Sequence, residues 1–397
     1  MTILSKRVEA LAESETLFMA RMAQELKDKG VKVVNMSLGE PDFFTPSNVK
    51  TAAKEAIDNN FSFYTPVPGY KDLLEVICLK LKRDNHLNYK PSQIVTSTGA
   101  KQSIANIVFS LVNPGDEVIL PAPYWVSYAE MVNLAEGKVV SVHTSIESNF
   151  KMTPEQLDKA ITAKTKLFIF SNPCNPTGTV YSTEELIKLK EVFIKHPHVY
   201  IIADEIYEHI VFSEKPKSMA SFPELFDRVI TVNGLSKGFA MTGWRFGYMA
   251  GPEAIAKACT KFQGQFTSGT SSITQRAAIE ALKTDPVETK PMQEAFFKRR
   301  NLLIELMKSI PGIKINEPQG AFYLFPEVKH YFGKKNGDQV IKDAKDLALY
   351  LLEKAHVAVT PGAAFGAPNY VRLSYATSEE NIRYAVEQLK IAFSELN

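Results

Sequence analysis

The sequence is poor in the residues that build stapled or metal-bound folds. It has three cysteines in 397 residues, Cys78, Cys174 and Cys259. Their number is odd and no two stand at metal-ligand spacing, so neither a disulfide framework nor a zinc site is expected. A chain of this length buries about three quarters of its unfolded surface and needs no such staple. The seven histidines include no His-x-x-x-His pair, and His196 and His198 flank a proline. No metal is expected. An excess of one charge is also missing, because 46 Lys and Arg stand against 44 Asp and Glu, a net charge of +2. That balance offers no general field for nucleic acid or for an anionic membrane. A local basic run, Lys298-Arg299-Arg300, reads as a solvated helix face. No stretch of about 18 apolar residues occurs, which excludes a transmembrane helix. The opening Met1-Thr-Ile-Leu-Ser-Lys-Arg lacks the apolar core of a secretory signal. The expectation is a soluble, cytoplasmic protein with no nucleic-acid or membrane partner.

What is present is an ordinary globular composition, and at roughly 150 residues per domain the length allows two or three structural units. Between about residues 90 and 250, short apolar runs alternate with helix-period stretches. The strand candidates are Gln93–Thr98, Glu117–Pro121, Leu167–Phe170, Val199–Ala203, Val229–Val232 and Phe246–Ala250. After Gly99, the residues Ile104, Ile107, Val108, Leu111 and Val112 keep helical spacing until Asn113-Pro114-Gly115 stops them. Repeated β-then-α units predict an α/β fold with a mostly parallel, buried sheet. Ligands of such sheets sit at the carboxyl ends of the strands, so the polar residues just after each strand are the ones to read. Beyond about residue 290 the texture changes. Helix patterns at Glu294–Ser309, Ala344–Lys354 and Glu379–Glu395 are mixed with strand-like Ala321–Phe325 and Val371–Tyr375. The expected division is an N-terminal segment over 1–48 that joins the small domain, a large domain over 49–290, and a small α+β domain over 291–397.

Lys237 ends a polar turn after the fifth of these strands, and Arg245 follows eight residues later. An amine at a strand end beside another cation loses its proton cheaply and can attack a carbonyl. As a lone lysine it reads first as a solvated surface residue, so its neighbours must shift the balance. Asp204 stands just past an apolar strand, with Tyr207 three residues on. Such a carboxylate either caps the next helix or holds a proton on a pyridine nitrogen. Asn175, in Asn172-Pro-Cys-Asn-Pro-Thr-Gly178, is a turn residue that could donate to a phenolate-like oxygen. The backbone amides over Gly99, Ala100 and Lys101 open a helix and suit a phosphate. Trp125, in Pro121-Ala-Pro-Tyr-Trp, is core packing or a ring-stacking platform. Arg372 lies within an apolar strand, where a guanidinium wants a planar anion, from the protein or from a substrate.

The ordered set resembles fold-type I pyridoxal-phosphate enzymes of the class I/II aminotransferase family, on the bacterial aspartate aminotransferase branch, over essentially the whole chain. The matching string is Gly39-Glu-Pro-Asp42, Tyr64-Thr-Pro, Gly69-Tyr70, Thr98-Gly-Ala-Lys101, Pro123-Tyr-Trp125, Asn172-Pro-x-Asn-Pro-Thr-Gly178, Asp204-x-x-Tyr207, Ser236-Lys237, Met241-Thr-Gly-Trp-Arg245 and Arg372. The resemblance implies a mostly parallel seven-stranded sheet flanked by helices. It implies pyridoxal 5'-phosphate as cofactor, held covalently by Lys237, which then moves the substrate proton. Asp204 would keep the ring nitrogen protonated, Asn175 and Tyr207 would bond the ring oxygen, and Trp125 would stack on the ring. The turn Gly99–Lys101, Ser236, Arg245 and the partner subunit's Tyr64 would hold the phosphate, which makes the protein a homodimer with shared sites. Arg372, with backbone at Gly39, would bind the substrate α-carboxylate, and Lys101 the distal one.

Ser14-Glu-Thr16 is similar to a segment that closes over substrate. Gly234 stands where some relatives place a phosphate-binding serine, which shifts that contact to Ser236 or to backbone. The implied reaction transfers the amino group of L-aspartate to 2-oxoglutarate, giving oxaloacetate and L-glutamate. Alternatives are a broader acidic or aromatic aminotransferase that also takes prephenate, and a C–S β-lyase built on the same lysine and aspartate. A cofactor-binding regulator is disfavoured because no DNA-binding extension is evident. A nicotinamide dehydrogenase is disfavoured because a Gly-x-Gly-x-x-Gly turn is missing.

Overall fold

Polar residues gather at one edge of a seven-stranded sheet because its central strands run the same way. The computed structural model describes residues 3–215 and 217–397. Met1, Thr2 and Pro216 lie outside the described residues, and the first two begin the expected N-terminal segment. In chain order the strands are β1 (Ile94–Ser97), β2 (Glu117–Ala122), β3 (Lys138–His143), β4 (Thr165–Ser171), β5 (Tyr200–Asp204), β6 (Val229–Gly234) and β7 (Gly247–Ala250). Their spatial order is β1-β7-β6-β5-β4-β2-β3. Strands β2 to β6 pair in parallel, whereas β7 is antiparallel to both β1 and β6. The fold is therefore α/β with a mostly parallel sheet, and β4, β5 and β6 end side by side.

Six of the seven strands fall on the apolar runs of the sequence. The seventh, β3, carries Lys138, Ser141 and His143 among its valines and is only partly covered. It is an edge strand, so one side needs no apolar partner and the hydrophobic signal is diluted. The helix Ala100–Leu111 buries Ile104, Ile107 and Val108, as its spacing requires. Gly99 at its start adopts φ +91°, and a Cβ there would fall 2.6 Å from Arg245 Nη2. A side chain at this point would push the guanidinium away.

The C-terminal part forms a three-stranded antiparallel sheet, with Val371–Ser374 between Thr360–Pro361 and Tyr323–Leu324. Val34–Asn35 pairs with Val357–Ala358, and Met19, Met36, Phe296, Leu347 and Val386 share one apolar core. N-terminal and C-terminal residues thus bury each other's surface. The helix Lys290–Met307 starts four residues before the expected one, because Pro291 lies in its first turn, where no N–H is required.

The basic run on that helix corrects the sequence reading. Arg300 is buried, with its guanidinium carbon 4.5 Å from the Phe297 ring centroid and 5.2 Å from that of Phe212. Its Nη1 donates to the Pro318 carbonyl at 2.7 Å, and Arg299 pairs with Asp42 at 2.6 Å. Only Lys298 is solvated. A planar guanidinium stacks on aromatic faces in a way that the one-dimensional charge pattern does not reveal. Among the described residues, no helix is long and apolar enough to cross a membrane.

Candidate active site

A cleft of about 350 Å³ opens at the carboxyl ends of β4 to β6. The N-terminal residues Ser14, Thr16 and Leu17 and the C-terminal residues Tyr323 and Arg372 complete its walls. Glu15, between them, turns away to pair with Lys345 at 2.8 Å.

Asp204 is the last residue of β5 and is buried. Its Oδ2 accepts from Tyr128 Oη at 2.7 Å, and its Oδ1 accepts from the Ile206 amide at 3.2 Å. Burial pushes this carboxyl up to about 6, against the opposing pull of those two donors and of Lys237. The free molecule therefore holds an under-compensated carboxyl in the cleft, suited to a cationic N–H partner.

Lys237 follows β6 through the turn Leu235-Ser236. Its Nζ donates to the Gly39 carbonyl. Burial first, then the charges of Arg372 and Arg245, lower its pKa to about 8, with Glu40 and Asp204 opposing. An amine so placed is a competent nucleophile and proton carrier near neutral pH. The chain leaves the lysine through two left-handed residues, Ala240 at φ +50° and Arg245 at φ +59°. Non-glycine residues in that region store local strain, which is common where function fixes a turn.

Arg372 is 2% exposed, and none of the ion pairs among the described residues includes it. It donates to the Ser37 carbonyl and, through Nη1, to Asn175 Oδ1 at 2.8 Å. Its Nε is buried without a partner. Because arginine has no acceptor, the Asn175 oxygen must face it, which leaves the Asn175 amide N–H groups free to donate. Tyr207 Oη lies 2.7 Å from Tyr323 Oη. A Cβ at Gly39 would fall 2.3 Å from that Tyr323 oxygen, so glycine there keeps the hydroxyl in place.

At the other end, Arg245 Nη1 donates to the Thr242 carbonyl at 2.8 Å and Nη2 to the Thr98 carbonyl at 3.4 Å. The first-turn amides of Ala100 and Lys101 have no intrahelical acceptor. With Ser236, they line this end of the cleft. Lys101 sits at the mouth, with its Nζ 5.1 Å from the Trp125 ring centroid. Desolvation and then Arg245 lower its pKa.

The sequence reading named Gly39, Ala100, Lys101, Trp125, Asn175, Asp204, Tyr207, Ser236, Lys237, Arg245 and Arg372, and the structure brings all of them to this cleft. Gly99 lies one residue behind its wall. Tyr64 is not in it: the side chain is 99% exposed, in a surface recess with Phe63 and the loop Gly269–Ser272. The Gly39 carbonyl accepts from Lys237, and the backbone donor at this residue that a carboxylate could use is its N–H. Tyr128 and Tyr323 were missed. Tyr128 stands three residues after Trp125, and their rings meet edge to face at 5.3 Å, a spacing that could have suggested it. Tyr323 carried no local signal.

Comparisons with known proteins agree with this geometry. Residues 31–389 match the family model of aminotransferase class I and II. The chain is 45% identical to an aspartate/prephenate aminotransferase of Nitrosomonas europaea over 97% of this chain and 98% of that one. It is 45% identical to a bifunctional aspartate aminotransferase and glutamate/aspartate-prephenate aminotransferase of Petunia hybrida, over 98% of this chain and 82% of the relative. Among solved structures, the aspartate aminotransferase from Rhizobium meliloti superposes with a TM-score of 0.96 at 40% identity, over the full length of both chains. That of Thermus thermophilus with maleate gives 0.93 at 39%, over 99% of this chain and all of that one.

Proposed function

The chain belongs to the class I and II aminotransferases, and from that premise we propose that it transfers the amino group of L-aspartate to 2-oxoglutarate, giving oxaloacetate and L-glutamate. The enzyme is a transaminase acting on amino and 2-oxo acids, with pyridoxal phosphate as its cofactor. The observation that carries the substrate assignment is a pair of unpaired cations, Arg372 and Lys101, on one cleft. A four-carbon dicarboxylate presents two anions to them.

The residues present fit the cofactor. The under-compensated Asp204 suits a protonated ring nitrogen, Lys237 supplies the amine that holds it, and Trp125 offers an aromatic face. The amides of Ala100 and Lys101 with Ser236 and Arg245 suit its phosphate. When bound, pyridoxal phosphate supplies an electron-poor ring that takes up the electron pair of the breaking substrate Cα–H bond. The chain's own residues then do the rest. Arg372 would clamp the α-carboxylate and so orient Cα–H, while Lys237 would accept the proton from Cα and release it again in the same cleft. Asn175 and Tyr207 would donate to the ring oxygen. The walls Ser14, Thr16 and Leu17 shield the cleft from water.

The same reading takes the chain as a homodimer, in which the partner subunit's Tyr64 reaches the phosphate. Exposed Phe63 and Tyr64, beside the Gly269–Ser272 loop, support it. The reading also divides the chain near residues 48 and 290 and places it in the cytoplasm, which suits three free cysteines. A wider acceptor range that includes prephenate is the second reading, favoured by relatives named for both substrates. The test is visible absorbance of the holoenzyme. A yellow band bleached by L-aspartate and restored by 2-oxoglutarate is expected, and restoration by prephenate would establish the wider range. A band insensitive to aspartate but bleached by alanine would defeat the dicarboxylate assignment. Pyruvate released without any acceptor would point to the lyase.

A further inference from the structure

Behind the cleft, on the far side of the turn that carries Asp204 and Tyr207, a buried ion pair joins three elements. Lys80, on the helix Lys71–Asn85, is 3% exposed. Its Nζ donates to Glu208 Oε1 and, at 2.8 Å, to Asn85 Oδ1. Glu208 Oε1 also accepts from Asn233 Nδ2 at 2.7 Å, and its Oε2 accepts from Asn85 Nδ2 at 3.0 Å. Asn233 lies on β6, four residues before Lys237, and its Oδ1 accepts from the Gly234 amide at 2.7 Å. The neighbouring His209 ring packs edge to face on Phe239 at 5.4 Å, and a Cβ at Gly238 would fall 2.5 Å from it. One carboxylate thus fastens the Asp204–Tyr207 turn, the strand leading to Lys237 and a helix from the other side of the sheet.

A lysine this deep calls for a reason, since buried ion pairs contribute little net stability and an apolar pair of the same volume is often as good or better. What such a pair does supply is a fixed geometry, because its bonds are directional while apolar contact is not. We infer that Lys80, Glu208 and Asn233 are positioning residues for transamination, holding Asp204 and Tyr207 in register with Lys237 from behind. This rests on the reading that Lys237 carries the cofactor. None of the three lines the cleft, so their effect must pass through the residues that do.

The deciding experiment compares holoenzymes of wild type, the double variant Lys80→Met/Glu208→Leu and Asn233→Ala. It reads thermal unfolding, kcat and KM for aspartate, and the pH midpoint of the cofactor's visible band. The double variant removes both charges of the pair and leaves Asp84 with Arg83, so its unfolding temperature is expected to fall by less than that of Lys80→Met alone. Its kcat is expected to fall about 10- to 100-fold while KM changes less than about threefold, the signature of misplaced reacting groups. The band's midpoint is expected to move by at least ~0.5 pH unit in both variants. A wild-type kcat and midpoint in the double variant would make the network purely structural and overturn the inference. Should the double variant not fold, Asn233→Ala decides by the same midpoint, because it keeps the ion pair: an unmoved midpoint overturns the inference. A wild-type protein without a visible band would instead defeat the function proposed above.

Discussion

The turn from Asp204 to Ile210 has two faces, and they treat buried charge in opposite ways. On the rear face, burial opposes the charge of Glu208, but Lys80, His209 and Lys215 outweigh it and hold its carboxyl well below the ordinary range. On the cleft face, Asp204, four residues away, is pushed up to about 6 because burial wins over its partners. The cations divide in the same way. Lys80 has Glu208 and Asn85, whereas Arg372 is just as buried and has only uncharged oxygens, from Ser37, Asn175 and Thr360, with Nε left over. Sites that hold a fold together satisfy their own charges, and sites that bind leave them for a ligand. Glu205, which lines the rear recess beside Glu208, is the exception, since burial pushes its carboxyl up to about 7, so the buried cation without a carboxylate, Arg372, marks the cleft face better than a raised carboxyl does.

The sharpest way to break the contrast is to remove the reacting amine. Lys237→Ala is expected to lower kcat by at least ~10⁴-fold, since it deletes both the nucleophile and the proton carrier. Steady-state aspartate turnover would show it, and a residual rate above one hundredth of wild type would shift both roles elsewhere. Next, the two buried cations should respond differently when made apolar. Arg372→Leu is expected to cost about 2–4 kcal/mol in kcat/KM for aspartate, some 30- to 1,000-fold, because the substrate carboxylate loses its clamp. Its unfolding temperature should hold, as no protein carboxylate is orphaned. Lys80→Met alone leaves Glu208 its more distant cation Lys215 but takes away the one buried beside it, and is expected to cost about 3 kcal/mol of stability. Paired calorimetry of the two variants checks this, and equal destabilisation would erase the distinction between the faces. A smaller effect is expected at the cleft mouth. Lys101→Ala should reduce turnover of aspartate roughly tenfold, while alanine turnover changes by less than about twofold, because only aspartate offers a second carboxylate. Equal damage to both donors would remove Lys101 from substrate choice.

The two faces also differ in how well they could be read from the sequence. The cleft residues sit where a parallel sheet must present them, just past β4, β5 and β6 and at the opening of the Ala100–Leu111 helix, so local reading found them. Arg372 stood out as a charge inside an apolar strand. The rear network was invisible because its members are polar residues in ordinary helical and strand contexts, and Lys80 and Glu208 are 128 residues apart. Tyr207 and Tyr323 are separated by 116 residues, and Tyr323 looks like any aromatic in a short apolar strand. Arg300 misled for a partly related reason: one aromatic partner, Phe212, lies far back in the chain, although the other, Phe297, stands three residues before it on the same helix. Periodicity reports burial along one element; pairing across elements has no one-dimensional trace.

The finest test concerns Tyr128, which lies 76 residues from Asp204 in the chain and bonds its carboxylate from the cleft wall. In the cofactor-free protein the Asp204 pKa of about 6 exceeds the ordinary 3.8 that it regains on unfolding. Between those values the folded state binds more protons than the unfolded one. Stability is therefore present below about pH 4 and is lost as pH rises through about 6. Tyr128→Phe removes the hydroxyl that steadies the ionised form, leaving the ring and its packing on Trp125 intact. The upper edge of that window is expected to move above 6, and the loss of stability on approaching neutrality to deepen by about 1.5–3 kcal/mol, the worth of a hydrogen bond to a charged group. In the holoenzyme a cationic partner replaces part of that support, so kcat should fall by less than about tenfold. Denaturant titrations of the cofactor-free variant between pH 4 and 8 read the window directly. A profile superimposable on wild type would mean that the Tyr128 bond does not set the charge state of Asp204, and that the under-compensation of the cleft face comes from burial alone.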